Sequence, residues 1–391
     1  MKIDSVDFFY LRMPEVKDIG DGSQDTLLVR VRAGGRTGWG ISEASPLVTI
    51  AALVAPMSHS ACKPVRDSVV GADVEDPDDI RRINAAVRAN SADMLQADHA
   101  LSGIDIALWD LLGRRLEEPV WRLLGGKKSY SKRPYASVLF GDSAEGTTEK
   151  ARAIRKAGFR AAKFGWGPFG KGSVSADRNQ VLAARLGLDE DGILLVDAGC
   201  AFGTNVEEAR RRLNVLQQCR TVWLEEPFAS DAVPAYRELA AESGTVKIAG
   251  GEGCHDLGQA EHMIDDAGLG YIQIDAGRIG GITTAKEVAD RAREKHVAYV
   301  NHTFTSHLAL SASLQPFAGS ERDDLAEYPF ESSALATELT RERILPDEEG
   351  LIRAPESPGL GITPNPEAVK KYLVNVDIRI DGKTAYRTPP L

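Results

Sequence analysis

The 391-residue sequence contains no apolar run near the roughly 18 residues that a membrane helix needs. Its first residues, Met1-Lys-Ile-Asp-Ser-Val-Asp, carry charge where a secretory signal would be apolar. These two absences predict a cytoplasmic protein with no membrane partner. Cysteine is scarce as well. Cys62, Cys200, Cys219 and Cys254 lie far apart with no C-x-x-C pair, which leaves neither a disulfide framework nor a zinc cluster. They read as separate reduced thiols in or near the core, with Cys200 and Cys254 just past two strand ends, where they could line a site. Positive charge is in deficit: 47 Lys and Arg against 57 Asp and Glu give a formal net charge of −10. That argues against binding nucleic acid through a general positive surface, although a local cation could still receive an anionic ligand. No low-complexity tract is present, and no short repeat beyond the one described next.

What the chain does have is a beat. Ile193-Leu-Leu-Val ends in Asp197, Thr221-Val-Trp-Leu in Glu225, Val246-Lys-Ile-Ala-Gly-Gly in Glu252, Tyr271-Ile-Gln-Ile in Asp275, and Val297-Ala-Tyr-Val-Asn in His302. Short apolar runs closed by one ionisable residue suit parallel strands covered on both faces. The closing residues are 28, 27, 23 and 27 apart, and Glu327 follows 25 further on. Each step is close to one strand, one loop and one helix, so the series predicts a βα barrel whose mouth gathers these residues. A barrel of about 250 residues plus a smaller module accounts for the length. Residues 1–125 read as that module, an α+β unit. Val6, Phe8 and Tyr10 alternate, as do Leu27, Val29 and Val31; Gly34-Gly35 marks a hairpin, and Leu101, Ile104, Leu108, Leu111 and Leu112 mark one face of a helix over 97–116. The barrel is expected over 126–354, and the turn-rich 355–391 segment is expected to return to the first module.

Asp197, Glu225 and Glu252 would meet as three like charges. Either some keep their protons or a cation holds them, and an all-oxygen set suits Mg²⁺ with open positions for a substrate carboxylate. Singly, each could instead cap a helix. Asp275 and His302 end adjacent strands; a carboxylate on one imidazole nitrogen fixes the tautomer and leaves the other to take a proton. His307 reads as a resident of the following helix. Lys163 ends the second barrel strand as a base, as a cation facing a carboxylate or enolate, or as a surface ion pair. Glu327, if protonated, could donate to a developing oxyanion. Gly165-Trp-Gly-Pro-Phe-Gly170 matches a dinucleotide fingerprint only formally, since Pro168 has no N–H to give a phosphate. Arg210-Arg-Arg212 reads as a solvated helix face, and Thr204-Asn-Val-Glu207 as a capping box.

Ala100-Leu-Ser-Gly-Ile-Asp-Ile-Ala-Leu-Trp-Asp110, Pro119-Val-Trp-Arg-Leu-Leu-Gly-Gly126, Trp223-Leu-Glu-Glu-Pro-Phe228, Gly251-Glu252, Asp275-Ala-Gly-Arg-Ile-Gly-Gly281 and Ser357-Pro-Gly-Leu-Gly-Ile362 together resemble the enolase superfamily, in its mandelate racemase-like subgroup. The resemblance covers nearly the whole chain. It implies a (β/α)7β modified TIM barrel under an α+β capping domain, Mg²⁺ on Asp197, Glu225 and Glu252, and an Asp275–His302 dyad acting on the proton α to a carboxylate. It also implies Glu327 beside the enediolate, and a homo-oligomer. Mg²⁺-stabilised enediolates in this superfamily are a general precedent, not a deduction from these residues. One departure is informative: many relatives carry Lys-x-Lys at the second strand, where this chain reads Lys163-Phe-Gly165. Nor does Asp197-Ala-Gly199 supply the histidine that some relatives place there. Inverting a stereocentre needs bases on both faces of the carbon, whereas eliminating water needs one. The expectation is therefore a dehydratase of an aldonic or aldaric acid. The alternatives are a racemase, epimerase or cycloisomerase using Lys163 as second base, and a silent metal-binding barrel serving as scaffold or regulator. Specificity is expected from the loop Asp18–Ser23, Phe140 and Trp166.

Overall fold

The computed structural model describes residues 1–391 except 21 and 44. Three antiparallel strands open the chain: β1 (Ile3–Arg12), β2 (Asp25–Ala33) and β3 (Arg36–Ser42), in the order in which the alternating apolar residues and the Gly34-Gly35 turn would place them. The helix Ala97–Leu116 packs across this sheet. Its seat is made by glycine, because a Cβ on Gly38 or Gly40 would stand 2.1 Å from Ala107 O or 2.0 Å from Gly103 O. Backbone therefore meets backbone along β3, and no side chain fits between.

Eight parallel strands follow: β4 (Arg133–Leu139), β5 (Ala161–Gly165), β6 (Ile193–Asp197), β7 (Thr221–Glu225), β8 (Lys247–Gly250), β9 (Tyr271–Ile274), β10 (Ala298–Asn301) and β11 (Leu325–Pro329). They pair in the sheet order β10-β9-β8-β7-β6-β5-β4-β11, with helices between them. Side chains complete the ring where β10 meets β11. Asn301 Nδ2 donates to Glu327 O at 3.3 Å, and its Oδ1 accepts Glu327 N–H at 3.0 Å. The fold is a near-closed barrel with a separate antiparallel cap, as the sequence predicts. Tyr135, Ala161, Leu195, Trp223, Ala249, Val300 and Leu325 fill the lower interior as one apolar cluster. Strand alternation turns every second residue inward, so the next inward positions are Ser137, Lys163, Asp197, Glu225, His302 and Glu327.

The motif helix Ala97–Leu116 also docks the cap on the barrel. Asp105 accepts Thr283 N–H at 3.0 Å, Trp109 Nε1 donates to Thr283 Oγ1 at 2.9 Å, and Ser102 Oγ accepts Gly280 N–H at 2.8 Å. Gly281 lies directly under Asp105 with φ +93°, a backbone conformation open to glycine. At the other end Asp110 accepts from Trp39 N and Leu360 N, both at 2.9 Å, joining cap sheet, helix and C-terminal segment. The chain then adds β12 (Leu373–Val374) beside β1 and a hairpin of β13 (Asp377–Ile380) and β14 (Lys383–Arg387).

Two local expectations are corrected. The helix Val206–Gln218 is capped by Asn205, whose side chain accepts Glu208 N–H at 3.3 Å, rather than by Thr204. Arg212 is buried: it pairs with Asp177 at 2.8 Å and covers the Phe202 ring, while Arg210 and Arg211 stay on the solvated face. A helix turns a residue only 100° per step, so the third arginine of the run reaches the barrel side.

Candidate active site

A cavity of about 510 Å³ opens at the barrel mouth, lined by Lys163, Asp197, Glu252, Arg278, His302 and Glu327 among others. Trp166 and Phe304 form part of its wall, and Ile19, Gly20 and Gly22 of the cap reach it from above. Asp21, in the same predicted specificity loop, lies outside the described residues. Phe140 is not on this wall. It is buried, stacked on Phe169 at 5.2 Å, because it follows β4 on the side facing the helices. Cys200 and Cys254 are set back too; Cys200 Sγ approaches Glu226 at 3.6 Å.

Lys163 is buried in the centre of the mouth, not on the surface. Its Nζ is 2.6 Å from Glu225 Oε1, 2.9 Å from Glu327 Oε1 and 3.7 Å from Asp197 Oδ2. Burial alone would depress its pKa, but the charges of Glu225 and Glu327 outweigh burial and hold it well above the ordinary lysine value. With these partners Lys163 is held in its charged form. Glu225 also accepts Trp223 Nε1–H at 2.9 Å. Burial pushes Glu225 up to about 8 and Asp197 up to about 6, against the relief that Lys163 gives each.

On the opposite wall His302 Nδ1 meets Asp275 Oδ2 at 2.8 Å and Nε2 meets Glu252 Oε2 at 2.9 Å. Burial opposes the charged ring, yet Glu252, Glu327 and Asp275 together raise its pKa well above 6.5. Burial would likewise raise Glu252 and Asp275, but His302 and Arg278 draw both below the usual carboxylate range. Arg278 Nε lies 3.5 Å from Asp275 and its Nη1 3.7 Å from Glu252, so the two acids share one guanidinium.

Of the seven residues singled out from the sequence, Lys163, Asp197, Glu252, His302 and Glu327 line the cavity, while Glu225 stands behind Lys163 and Asp275 behind His302; Lys163 serves the acids of β6, β7 and β11, and His302 those that follow β8 and β9. Two further groups belong with them. Glu226 is buried at φ +38°, with Oε1 lacking any partner, and burial plus the charge of Glu252, Asp197 and Glu225 raises its pKa well above the ordinary value. Arg278 is the other. The signals were present, in the doubled acid before Pro227 and the arginine three past Asp275, but both side chains leave turns, where strand alternation no longer gives direction. By the tighter measure of donor atoms within 4.8 Å of one another, the group that meets among the described residues is Glu43, Asp275 and His302. Asp197, Glu225 and Glu252 are not drawn that close. Their chemistry nonetheless fits a hard divalent cation: Asp197, Glu225 and Glu226 are buried beside Glu252 at the cost of raised pKa values, and one buried oxygen of Glu226 has nothing to bind.

Residues 146–368, more than half of the chain, match the family model for the enolase C-terminal domain-like fold, and residues 17–125 match that for the mandelate racemase / muconate lactonizing enzyme N-terminal domain. The chain belongs to the enolase superfamily, in its mandelate racemase-like subgroup. Members of this superfamily bind Mg²⁺. Among similar proteins, a 3,6-anhydro-alpha-L-galactonate cycloisomerase of Streptomyces coelicolor is 29% identical over 314 residues, 77% of this chain and 79% of that one. A D-galactonate dehydratase of Variovorax paradoxus is 28% identical over 282 residues, 69% of this chain and 72% of that one. A crystal structure of a predicted mandelate racemase from Rhodobacter sphaeroides superposes with TM-score 0.96 at 57% identity, covering 100% of both chains. Dehydratases and cycloisomerases stand at similar identity, so these likenesses support an enzyme acting on a sugar acid without choosing between the two. No helix among the described residues is long and apolar enough to cross a membrane.

In this superfamily member Gly165 is the position that departs from Lys-x-Lys. A Cβ there would stand 2.8 Å from both Cβ and Oδ2 of Asp197. A lysine at 165 would therefore displace an acid of the candidate metal site as well as add a base.

Proposed function

We propose that the protein is a Mg²⁺-dependent dehydratase of a sugar acid, with Asp197, Glu225 and Glu252 as metal ligands. The observation that carries this reading is the one-sided base: His302 stands on one wall with Asp275 behind it, while the facing lysine keeps Glu327, which is no metal ligand, as its ion-pair partner at 2.9 Å. Bound there, Mg²⁺ would supply positive charge to the substrate carboxylate and to the enediolate. Glu252, as a ligand, would direct its charge to the cation rather than to His302, whose Nε2 would then be the atom available to accept a proton. His302 takes the α-proton as the C–H bond breaks; the electron pair forms the enediolate, and Lys163 lies within the cavity to offset its charge. The C3–O bond then breaks as His302 returns a proton to the departing hydroxyl, and the enol tautomerises to a 2-keto-3-deoxy acid. Glu327 Oε2 accepts Thr303 N–H at 2.7 Å and its Oε1 lies 2.9 Å from Lys163, so in this scheme it serves as the partner of Lys163 and His302 serves as the proton donor.

A second reading has an observation of its own. At the outer end of the cavity the described wall is apolar, with Ile19, Leu139, Trp166, Phe304 and Phe330, and the charged Glu331 there is already paired with Lys150 at 3.1 Å. That end favours a monocarboxylate over a dicarboxylate and accommodates a ring. In a 3,6-anhydro acid the C3 oxygen is a ring ether, so the same α-proton loss and C3–O cleavage opens the ring without releasing water. The test is one screen: purified protein with Mg²⁺ against aldonic, aldaric and anhydro-aldonic acids, followed by keto-acid formation and product mass. A product 18 mass units lighter than its substrate supports the dehydratase; an isomeric product supports ring opening. Activity that survives His302→Ala or Glu225→Ala contradicts both.

A further inference from the structure

Behind the dyad stands a residue of the capping domain. Glu43 directly follows β3, and its backbone N–H donates to Gly277 O at 3.3 Å, on the turn that carries Asp275. A Cβ on Gly277 would stand 2.7 Å from Glu43 Cγ, so the side chain lies flat on that turn. Thr305 Oγ1 donates to Glu43 Oε1 at 2.6 Å. Glu43 Oε2 is buried and receives no hydrogen bond, while carboxyl oxygens of Glu43 and Asp275 and a ring nitrogen of His302 lie within 4.8 Å of one another. The small pocket that these groups line with Gly277 and Thr303 has no space for a water molecule.

Two carboxylates facing each other without water between them cannot both be charged. Asp275 has the better claim to the charge, with Arg278 at 3.5 Å and His302 at 2.8 Å. Glu43 therefore keeps the proton, which accounts for the otherwise unpartnered Oε2 as a hydroxyl donor. Burial, then the charge of Asp275, raises the Glu43 pKa well above the ordinary value.

We propose that Glu43 is a positioning residue for the reaction: as a neutral acid it donates to Asp275, accepts from Thr305, and so fixes the carboxylate that orients His302. The cap thereby sets the geometry of the barrel's base. This rests on the reading of His302 as that base, and the role needs one donor and one acceptor rather than a charge. A glutamine supplies both; an alanine supplies neither.

The experiment compares Glu43→Gln with Glu43→Ala in the Mg²⁺-loaded full chain, on whichever acid the screen identifies. Glu43→Gln should keep kcat within about threefold, and Glu43→Ala should lose about 10- to 100-fold in kcat with KM within about threefold, as for other partners that orient a functional side chain. A second readout needs no substrate: the far-downfield proton resonance of the His302 N–H held by Asp275, assigned by its loss in His302→Gln. It should persist in Glu43→Gln and vanish or shift in Glu43→Ala, with thermal midpoints confirming that both variants fold. The proposal is overturned if the resonance is unchanged in Glu43→Ala, if Glu43→Gln is as impaired as Glu43→Ala, or if the loss falls on KM. Should no acid be turned over by the unmodified protein, the functional reading fails while the resonance still decides the role of Glu43.

Discussion

The lower interior of the barrel and its mouth are built on the same strands and face the same axis, yet they hold opposite chemistry. Tyr135, Ala161, Leu195, Trp223, Val300 and Leu325 make an apolar plug. Two residues later, about 6.6 Å along each strand, come Ser137, Lys163, Asp197, Glu225, His302 and Glu327. The plug gives up nothing to water and costs nothing to charge. The mouth layer has to neutralise itself, and without a divalent cation it does so with Lys163, Arg278 and His302, while burial raises the pKa values of Asp197 and Glu225. Stability and reactivity are thus separated by one repeat of strand alternation.

Substitutions can test that separation. His302→Ala, in the upper layer, should lower kcat by about 10² to 10⁴, the range for loss of a general base, with thermal stability little changed; steady-state kinetics and calorimetry together check it. Leu195→Ala, one layer down, should do the reverse, costing about 2–5 kcal/mol in denaturant unfolding while kcat per folded molecule stays near that of the parent. Equal kinetic damage from both would erase the distinction between the layers.

The pH dependence of stability sharpens the contrast. In the metal-free protein Asp197 and Glu225 have folded pKa values of about 6 and about 8, above the ordinary values of 3.8 and 4.5 that stand for the unfolded chain. Their contribution is therefore complete below those lower values and is lost as pH rises through about 6 and about 8. Relative to a double variant with Asp197→Asn and Glu225→Gln, the metal-free protein should lose stability between pH 5 and pH 8, and saturating Mg²⁺ should abolish the slope. Denaturant midpoints at each pH supply the measurement. The smallest effect is expected from Gly165→Ala, whose Cβ would press on Asp197: Mg²⁺ affinity should fall about tenfold with the fold intact.

Much of this arrangement was legible in the residues because alternation and the βα beat act together. Asp197, Glu225, His302 and Glu327 each close an apolar run at an inward position, so their convergence followed once a barrel was assumed. The cap was legible for a similar reason, since the residues of β1 and β2 alternate and the helix Ala97–Leu116 marks its buried face at three- and four-residue steps. What escaped lay just beyond the strands. Glu226 points at the acids only because its backbone takes φ +38°, and Arg278 returns to Asp275 only because the turn folds it back. Glu43 is separated from Asp275 by more than half the chain and meets it through docking of the cap, a contact that no local pattern encodes. Phe140, expected at the mouth as a specificity residue, and Arg212, expected on a solvated helix face, are both buried instead.

The most direct test of the account is a calorimetric titration of the metal-stripped protein with MgCl₂, run in parallel on Asp197→Asn, Glu225→Gln and Glu252→Gln. One Mg²⁺ per chain is expected in the parent, with a large loss of affinity in each variant. Absence of binding in the parent, or binding that all three variants retain unchanged, would contradict it.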